Sequence, residues 1–139
     1  MKKIILWEPS FTVLNKASLL EAITDYLVKH GLIKDQKEAI IAINKRENLG
    51  STLIAPNLAI PHLKSYAIRE AALIFVKLQN TLTDWQKDSQ VERFIFTIVP
   101  EKCPVADLKM LKYFYIKLAD DKKMEIFSHG SQKEIQKIL

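Results

Sequence analysis

"KRENLGSTLIAPNLAIPH", residues 45–62, is the stretch in which the chain changes character. Just upstream, "DQKEAIIAINKREN" spaces its apolar residues as a helix does, so residues 35–48 read as a helix that ends near Asn48 and Gly50. From Ser51 to Ser65 the helical period disappears and Pro56 and Pro61 intervene, which predicts short extended pieces joined by turns. Pro61 fixes its own φ and pushes Ile60 toward an extended conformation. His62, in the run "LAIPHLKS" (58–65), is therefore carried on a stiff segment.

Toward the N-terminus, "KIILW" (3–7) reads as a strand. "NKASLLEAITDYLVKHG" (15–31) reads as a helix with Leu19, Leu20, Ile23, Leu27 and Val28 on one face. Asn15 is placed to cap it, and Lys29, His30 and Gly31 form a cation-then-glycine ending. In the following helix Asp35 and Glu38 have capping-box spacing, and Ala39, Ile40 and Ile43 form the inward stripe. Toward the C-terminus, "AALIFVKL" (71–78) and "VERFIFTIVP" (91–100) are the strongest strand candidates, with Trp85 in the connection covering an edge of the core. "PVADLKMLKYFYIKLAD" (104–120) predicts a helix with Val105, Leu108, Leu111, Tyr115 and Leu118 inward and Pro104 at its start. "KKMEIFSHG" predicts a short helix stopped at Gly130. "SQKEIQKIL" predicts a last one, with a box from Ser131 to Glu134 and Ile135, Ile138 and Leu139 inward. No repeat, low-complexity tract or linker interrupts this order. The expected unit is a single α/β domain over residues 1–139.

Composition removes several function classes. With 139 residues, 48% apolar and 27% charged, the chain is ordinary for a globular domain. No apolar run approaches the ~20 residues that span a bilayer, so membrane insertion is not expected. The opening "MKKIILWEPS" is interrupted by Glu8 and lacks a small-residue cleavage site, so it reads as a strand and not a signal peptide. One cysteine excludes an internal disulfide and suits a reduced, cytoplasmic setting. Cys103 sits just before a helix, where a thiol can be acidified, but no histidine neighbours it in sequence and it is not read as a nucleophile. The net charge of +5 comes from lysines spread among acids, without a nucleic-acid-binding signature. Such a field suits an acidic or phosphorylated protein partner. The three histidines (30, 62 and 129) have no metal-ligand spacing, so no metal is expected. There is no G-x-S-x-G, and three glycines are too few for a P-loop or dinucleotide fingerprint.

His30 and His129 fall at helix ends and read as structural. His62 is left. Imidazole is a good nucleophile near neutral pH because much of it is uncharged. By itself, a histidine in a turn still reads first as structural. Its surroundings alter that reading. Arg46, Glu47, Ser51, Thr52, Ala59, Ile60, Pro61 and His62, in this order and spacing, resemble the enzyme IIA family of the mannitol and fructose class, from the bacterial phosphoenolpyruvate-dependent sugar phosphotransferase system. The order of elements around the motif extends the resemblance over essentially the whole chain.

The resemblance implies a mannitol-type enzyme IIA fold, a three-layer sandwich with a mixed β-sheet flanked by helices. It implies that His62 accepts a phosphoryl group from the phosphocarrier protein HPr. The group then passes to a cognate enzyme IIB while the membrane component IIC imports the sugar. Arg46 would stabilise the phosphate, and Thr52 and Ser51 would support the site with hydroxyl or backbone contacts. It also suggests Nε2 as the phosphorylated nitrogen, with Nδ1 held by a hydrogen bond. No cofactor is required, because phosphoryl transfer needs an in-line nucleophile and positive charge on the equatorial oxygens. An arginine fork supplies that charge better than a lysine.

There is one departure. Many family members carry a second active-site histidine in a His-Leu pair, where this chain has Asp107 and Leu108. The galactitol-type branch is similar in lacking it. A carboxylate ~5 Å from a phosphate would oppose it by about 3 kcal/mol per unit charge at an effective dielectric of 20. Two other readings stand beside the carrier: a IIA-like regulatory domain of a transcription regulator or antiterminator, and a binding module that kept the fold without transfer.

Overall fold

Alternation along two central strands decides which side chains meet which helices. The computed structural model describes residues 1–139. Its elements in chain order are β1 (Lys2–Trp7), α1 (Lys16–Lys29), α2 (Gln36–Leu49), β2 (Leu53–Ala55), β3 (Leu58–Ala59), β4 (His62–Ser65), β5 (Ala72–Leu82), β6 (Val91–Pro100), α3 (Val105–Leu118), α4 (Asp121–His129) and α5 (Gln132–Ile138). The sheet runs β1-β5-β6-β3-β2, with β4 also on β6. It is mixed: β1 is parallel to β5, β5 antiparallel to β6, and β3 and β4 both parallel to β6.

Because successive side chains on a strand point to opposite faces, β5 and β6 feed two separate cores. Ile74, Val76, Phe94 and Phe96 join Leu19, Leu20, Ile23 and Leu27 of α1 and Ala39 and Ile43 of α2. Leu73, Phe75, Ile95 and Val99 join Leu111, Phe114 and Leu118 of α3, with Phe127 and Ile135 behind them. The result is the three-layer α/β sandwich expected from the sequence. No helix is long and apolar enough to cross a membrane.

Local signals act as their chemistry dictates. Asn15 caps α1 in a box with Ser18, Asp35 accepts the Glu38 N–H, and Ser131 and Glu134 form the reciprocal box of α5. Gly31 takes φ +72 after α1, a left-handed conformation that only glycine adopts without strain. Trp85 is buried edge-on against Phe94, with ring centroids 4.9 Å apart.

Three expectations are corrected. In α3 the buried side chains are Leu111, Phe114 and Leu118, whereas Val105, Leu108 and Tyr115 are 69%, 49% and 42% exposed. This helix is apolar on nearly every side, so spacing alone does not select a face, and the bulk of Phe114 does. In α1, Val28 is exposed and Thr24 is buried, its hydroxyl satisfied by the Leu20 carbonyl at 2.6 Å. β5 also runs beyond Leu78 to Leu82, because the hairpin continues to pair, Leu82 opposite Val91.

One buried charge ties the third layer together. Arg93 on β6 is 5% exposed and donates from Nη1 to the Phe127 carbonyl (3.2 Å) and from Nη2 to the Gly130 carbonyl (2.8 Å). Its guanidinium lies 5.2 Å from the centre of the Trp7 ring. It thereby satisfies carbonyls that the end of α4 would otherwise leave unpaired. Arg93→Leu is expected to cost about 2–3 kcal/mol, since those carbonyls stay buried without a donor. Arg93→Lys should recover only part, having no fork. Urea denaturation measures both, and equal stability of all three proteins contradicts the assignment.

Candidate functional site

The site begins with a proline that interrupts a strand. β3 and β4 would be one strand along β6, but Ile60 turns its N–H to the Thr52 carbonyl (2.9 Å) and Pro61 has none to offer. The Pro61 carbonyl still accepts from Thr97 N–H at 3.0 Å, so the chain rejoins β6 in register. β2 pairs β3 alone, so β4 is an open edge. His62 is its first residue.

Register then supplies the partner. His62 lies opposite Thr97 on β6, both side chains emerge on the α3 side, and His62 Nδ1 is 2.7 Å from Thr97 Oγ1. With the imidazole donating from Nδ1 to the hydroxyl, the ring lone pair lies on Nε2. The imidazole pKa is held below the ordinary 6.5, chiefly by burial and then by the charges of Arg46 and Lys64. At neutral pH the ring is uncharged.

The end of α2 and the following loop form the other wall. Arg46, Ser51, Thr52 and His62 line one hollow of about 380 Å³, together with Tyr115 from α3. A second hollow of about 450 Å³ shares Arg46 and His62 with the first and is lined also by Lys45, Lys64 and Tyr66. Arg46 donates from Nη1 to the Gly50 carbonyl at 3.1 Å and has no carboxylate partner, so its charge is uncommitted. Thr52 is buried and donates to Glu47 Oε1 at 2.5 Å, which ties the loop to the last turn of α2. The Ser51 hydroxyl bonds Gln86 and accepts from Leu53 N–H (3.1 Å).

Arg46, Ser51, Thr52 and His62, singled out in the sequence, thus come together in one hollow, and Asp107 lines neither hollow. Its carboxylate lies 3.1 Å from the buried ammonium of Met1. The charges that act on His62 are both positive. Cys103 has its thiol pKa pushed up by burial and by Asp107, the opposite of an activated nucleophile. His30 closes α1, its Nδ1 2.8 Å from the Tyr26 carbonyl, and His129 ends α4. No group of three His, Cys, Asp or Glu side chains is placed to hold a metal ion.

Sequence reasoning did not single out Thr97 or Lys64. Thr97 depends on strand register, which a single sequence does not display. Lys64 had a local signal, two residues from His62 in an extended run and so on the same face.

A mixed sheet with α1 and α2 on one side and α3 to α5 on the other defines the mannitol-type enzyme IIA sandwich. The structure resembles enzyme IIA of the mannitol system of Escherichia coli, solved in complex with phosphorylated enzyme IIB (TM-score 0.68, 16% identity, 96% of this chain and 92% of that one). It also resembles the nitrogen regulatory protein IIA-Ntr of Neisseria meningitidis (TM-score 0.64, 21% identity, 97% and 91%). Residues 4–139 match the family described as "Phosphoenolpyruvate-dependent sugar phosphotransferase system, EIIA 2", and the chain belongs to it. It is a phosphotransferase component. Among curated relatives, the 2-O-alpha-mannosyl-D-glycerate-specific EIIABC component of Escherichia coli K12 is 27% identical over 111 residues. That match takes in 77% of this chain but only 17% of the relative's length.

A lowered imidazole pKa has a definite sign in stability. The unfolded chain protonates His62 at the ordinary value while the folded one resists, so the unfolded state binds more protons just below 6.5. This contribution is complete above 6.5 and is lost as pH falls toward the folded value. An NMR titration should place the His62 midpoint below 6.5. His62→Gln should lose less stability than the unsubstituted chain between pH 7 and 5. A midpoint at or above the ordinary value refutes the burial argument.

Proposed function

We propose that this chain is the phosphoryl carrier of a sugar phosphotransferase system and that His62 Nε2 carries the phosphate. The observation that most supports the reading is the Nδ1–Thr97 contact, which fixes the ring and, with Nδ1 as the donor, leaves the lone pair on Nε2, beside an arginine that no carboxylate neutralises. The donor is phospho-HPr and the acceptor a cognate enzyme IIB that serves a membrane IIC, all met at the cytoplasmic face of the membrane.

In the transfer step the Nε2 lone pair attacks phosphorus in line with the bond that breaks. The N–P bond of the donor opens and its electron pair returns to the donor nitrogen. Nδ1 keeps its proton in the bond to Thr97. Arg46 faces the charge that spreads over the equatorial oxygens. Thr52 and Ser51 act by holding the loop against α2 and the Gln86 turn, since both hydroxyls are engaged there. No cofactor takes part. Leu49, Ile41 and Tyr66 are 80%, 59% and 76% exposed around the second hollow, an apolar rim suited to protein partners.

Of the other two readings, regulation is favoured by the likeness to IIA-Ntr, named as a nitrogen regulatory protein. It keeps the same His62 chemistry and differs in the recipient. The transfer-deficient module loses its motive here, because Asp107 is engaged by the Met1 ammonium and faces neither hollow.

Incubation with phosphoenolpyruvate, enzyme I and HPr tests the reading. Acid-labile phosphate should appear on the unsubstituted chain and be absent from His62→Ala, with the initial rate lowered about 10²-fold in Arg46→Met. Asp107→Asn should leave that rate within about twofold, because the carboxylate pairs with Met1 and lines neither hollow. Label that survives in His62→Ala assigns the acceptor elsewhere. A carrier should lose the label to an enzyme IIB, and a regulatory domain should retain it.

A further inference from the structure

Two cations act on His62, and only Arg46 belongs to the motif. The other, Lys64, follows two residues later on β4. Leu63 between them is buried in the α1–α2 core, so His62 and Lys64 emerge together on the opposite face of the strand. Lys64 lines the hollow of about 450 Å³ with Arg46 and His62. It makes no ion pair, although Glu38 and Glu101 line the same hollow. An uncommitted ammonium beside a nucleophilic ring is electrostatically costly for a protonated histidine and favourable for a phosphorylated one.

We propose that Lys64 is a second catalytic cation of this site, its ammonium contacting the phosphoryl oxygens on Nε2 of His62 from the hollow that it lines with Arg46. The inference rests on the reading of His62 as the acceptor. As the N–P bond forms, the transferred group keeps its negative charge on three oxygens while the donor nitrogen recovers its electron pair. Arg46 meets that charge from the end of α2 and Lys64 from the strand itself, so the two cations approach from different elements. No second imidazole is available, since His30 and His129 line neither hollow. Asp107 is paired with Met1 and lines neither hollow.

The test uses the whole chain with two donors, phospho-HPr and the small molecule phosphoramidate. Variants are Lys64→Met, Lys64→Arg and, as a remote surface control, Lys122→Met. Lys64→Met should slow labelling by about tenfold with both donors, less than the 10²–10³ seen for enclosed oxyanion donors because Lys64 is exposed. In the labelled protein, the phosphorus NMR titration of the phosphoryl group should move upward in Lys64→Met, because the dianion has lost a counter-charge. Lys64→Arg should return it toward the unsubstituted value, and Lys122→Met should change neither readout. The His62 ring midpoint should also rise in unlabelled Lys64→Met. Normal labelling and an unmoved phosphate titration in Lys64→Met overturn this inference alone. A rate loss with phospho-HPr only, and none with phosphoramidate, makes Lys64 a docking residue and overturns it too. No label on the unsubstituted chain from either donor overturns the acceptor reading, and this inference with it.

Discussion

The constraint on which this structure depends is the register between β6 and the three strands that pair with it, β5, β3 and β4. β5 and β6 together contribute side chains to both cores, and each alternation sends one residue to α1–α2 and the next to α3–α5. Phe75, Phe94 and Phe96 are essentially fully buried, and a slip of one residue would exchange the two sets. Truncating any one of them to alanine would cost about 3–5 kcal/mol, while a register slip would displace all three at once. The pairing is therefore strongly specified before any functional residue is considered.

The site inherits that specification. His62 and Thr97 meet because their strands are parallel and in register, and the same ladder carries the Pro61 carbonyl to Thr97 N–H. Pro61 has a second consequence. By ending β3 it leaves β4 without a neighbour on its outer side, so the imidazole stands at an edge that a protein partner can approach. Such an edge is normally a liability for unwanted pairing. Here it is four residues long, carries Lys64, and faces the end of α2.

How much of this was legible beforehand follows from the range of each interaction. Caps and helix ends are local, so Asn15, Asp35, Gly31 and Ser131 announce themselves. The run from Arg46 to His62 is nearly local too, and its spacing was readable without contacts. Thr97 and Arg93 lie in a strand chosen for its apolar pattern, where a threonine and an arginine look like ordinary interruptions. Their roles need residues 35 and 34 positions away, at His62 and Phe127, which only the folded sheet brings near. The face of α3 failed for a different reason. Periodicity carries no information when apolar residues surround a helix, and the decision passes to volume, here that of Phe114.

The electrostatics of the site separate two requirements that seem opposed. A nucleophile must be uncharged, which burial and nearby cations enforce on His62. A transferred phosphoryl group must meet positive charge, which the same cations provide. In the proposed chemistry one arrangement satisfies both, because an imidazole changes the sign of its preference on phosphorylation: Arg46 disfavours a proton on the free ring and would attract a dianion attached to it. An opposing carboxylate among these groups would weaken both effects together. The pairing of Asp107 with the Met1 ammonium, outside both hollows, is therefore compatible with the positive field that the proposed chemistry requires.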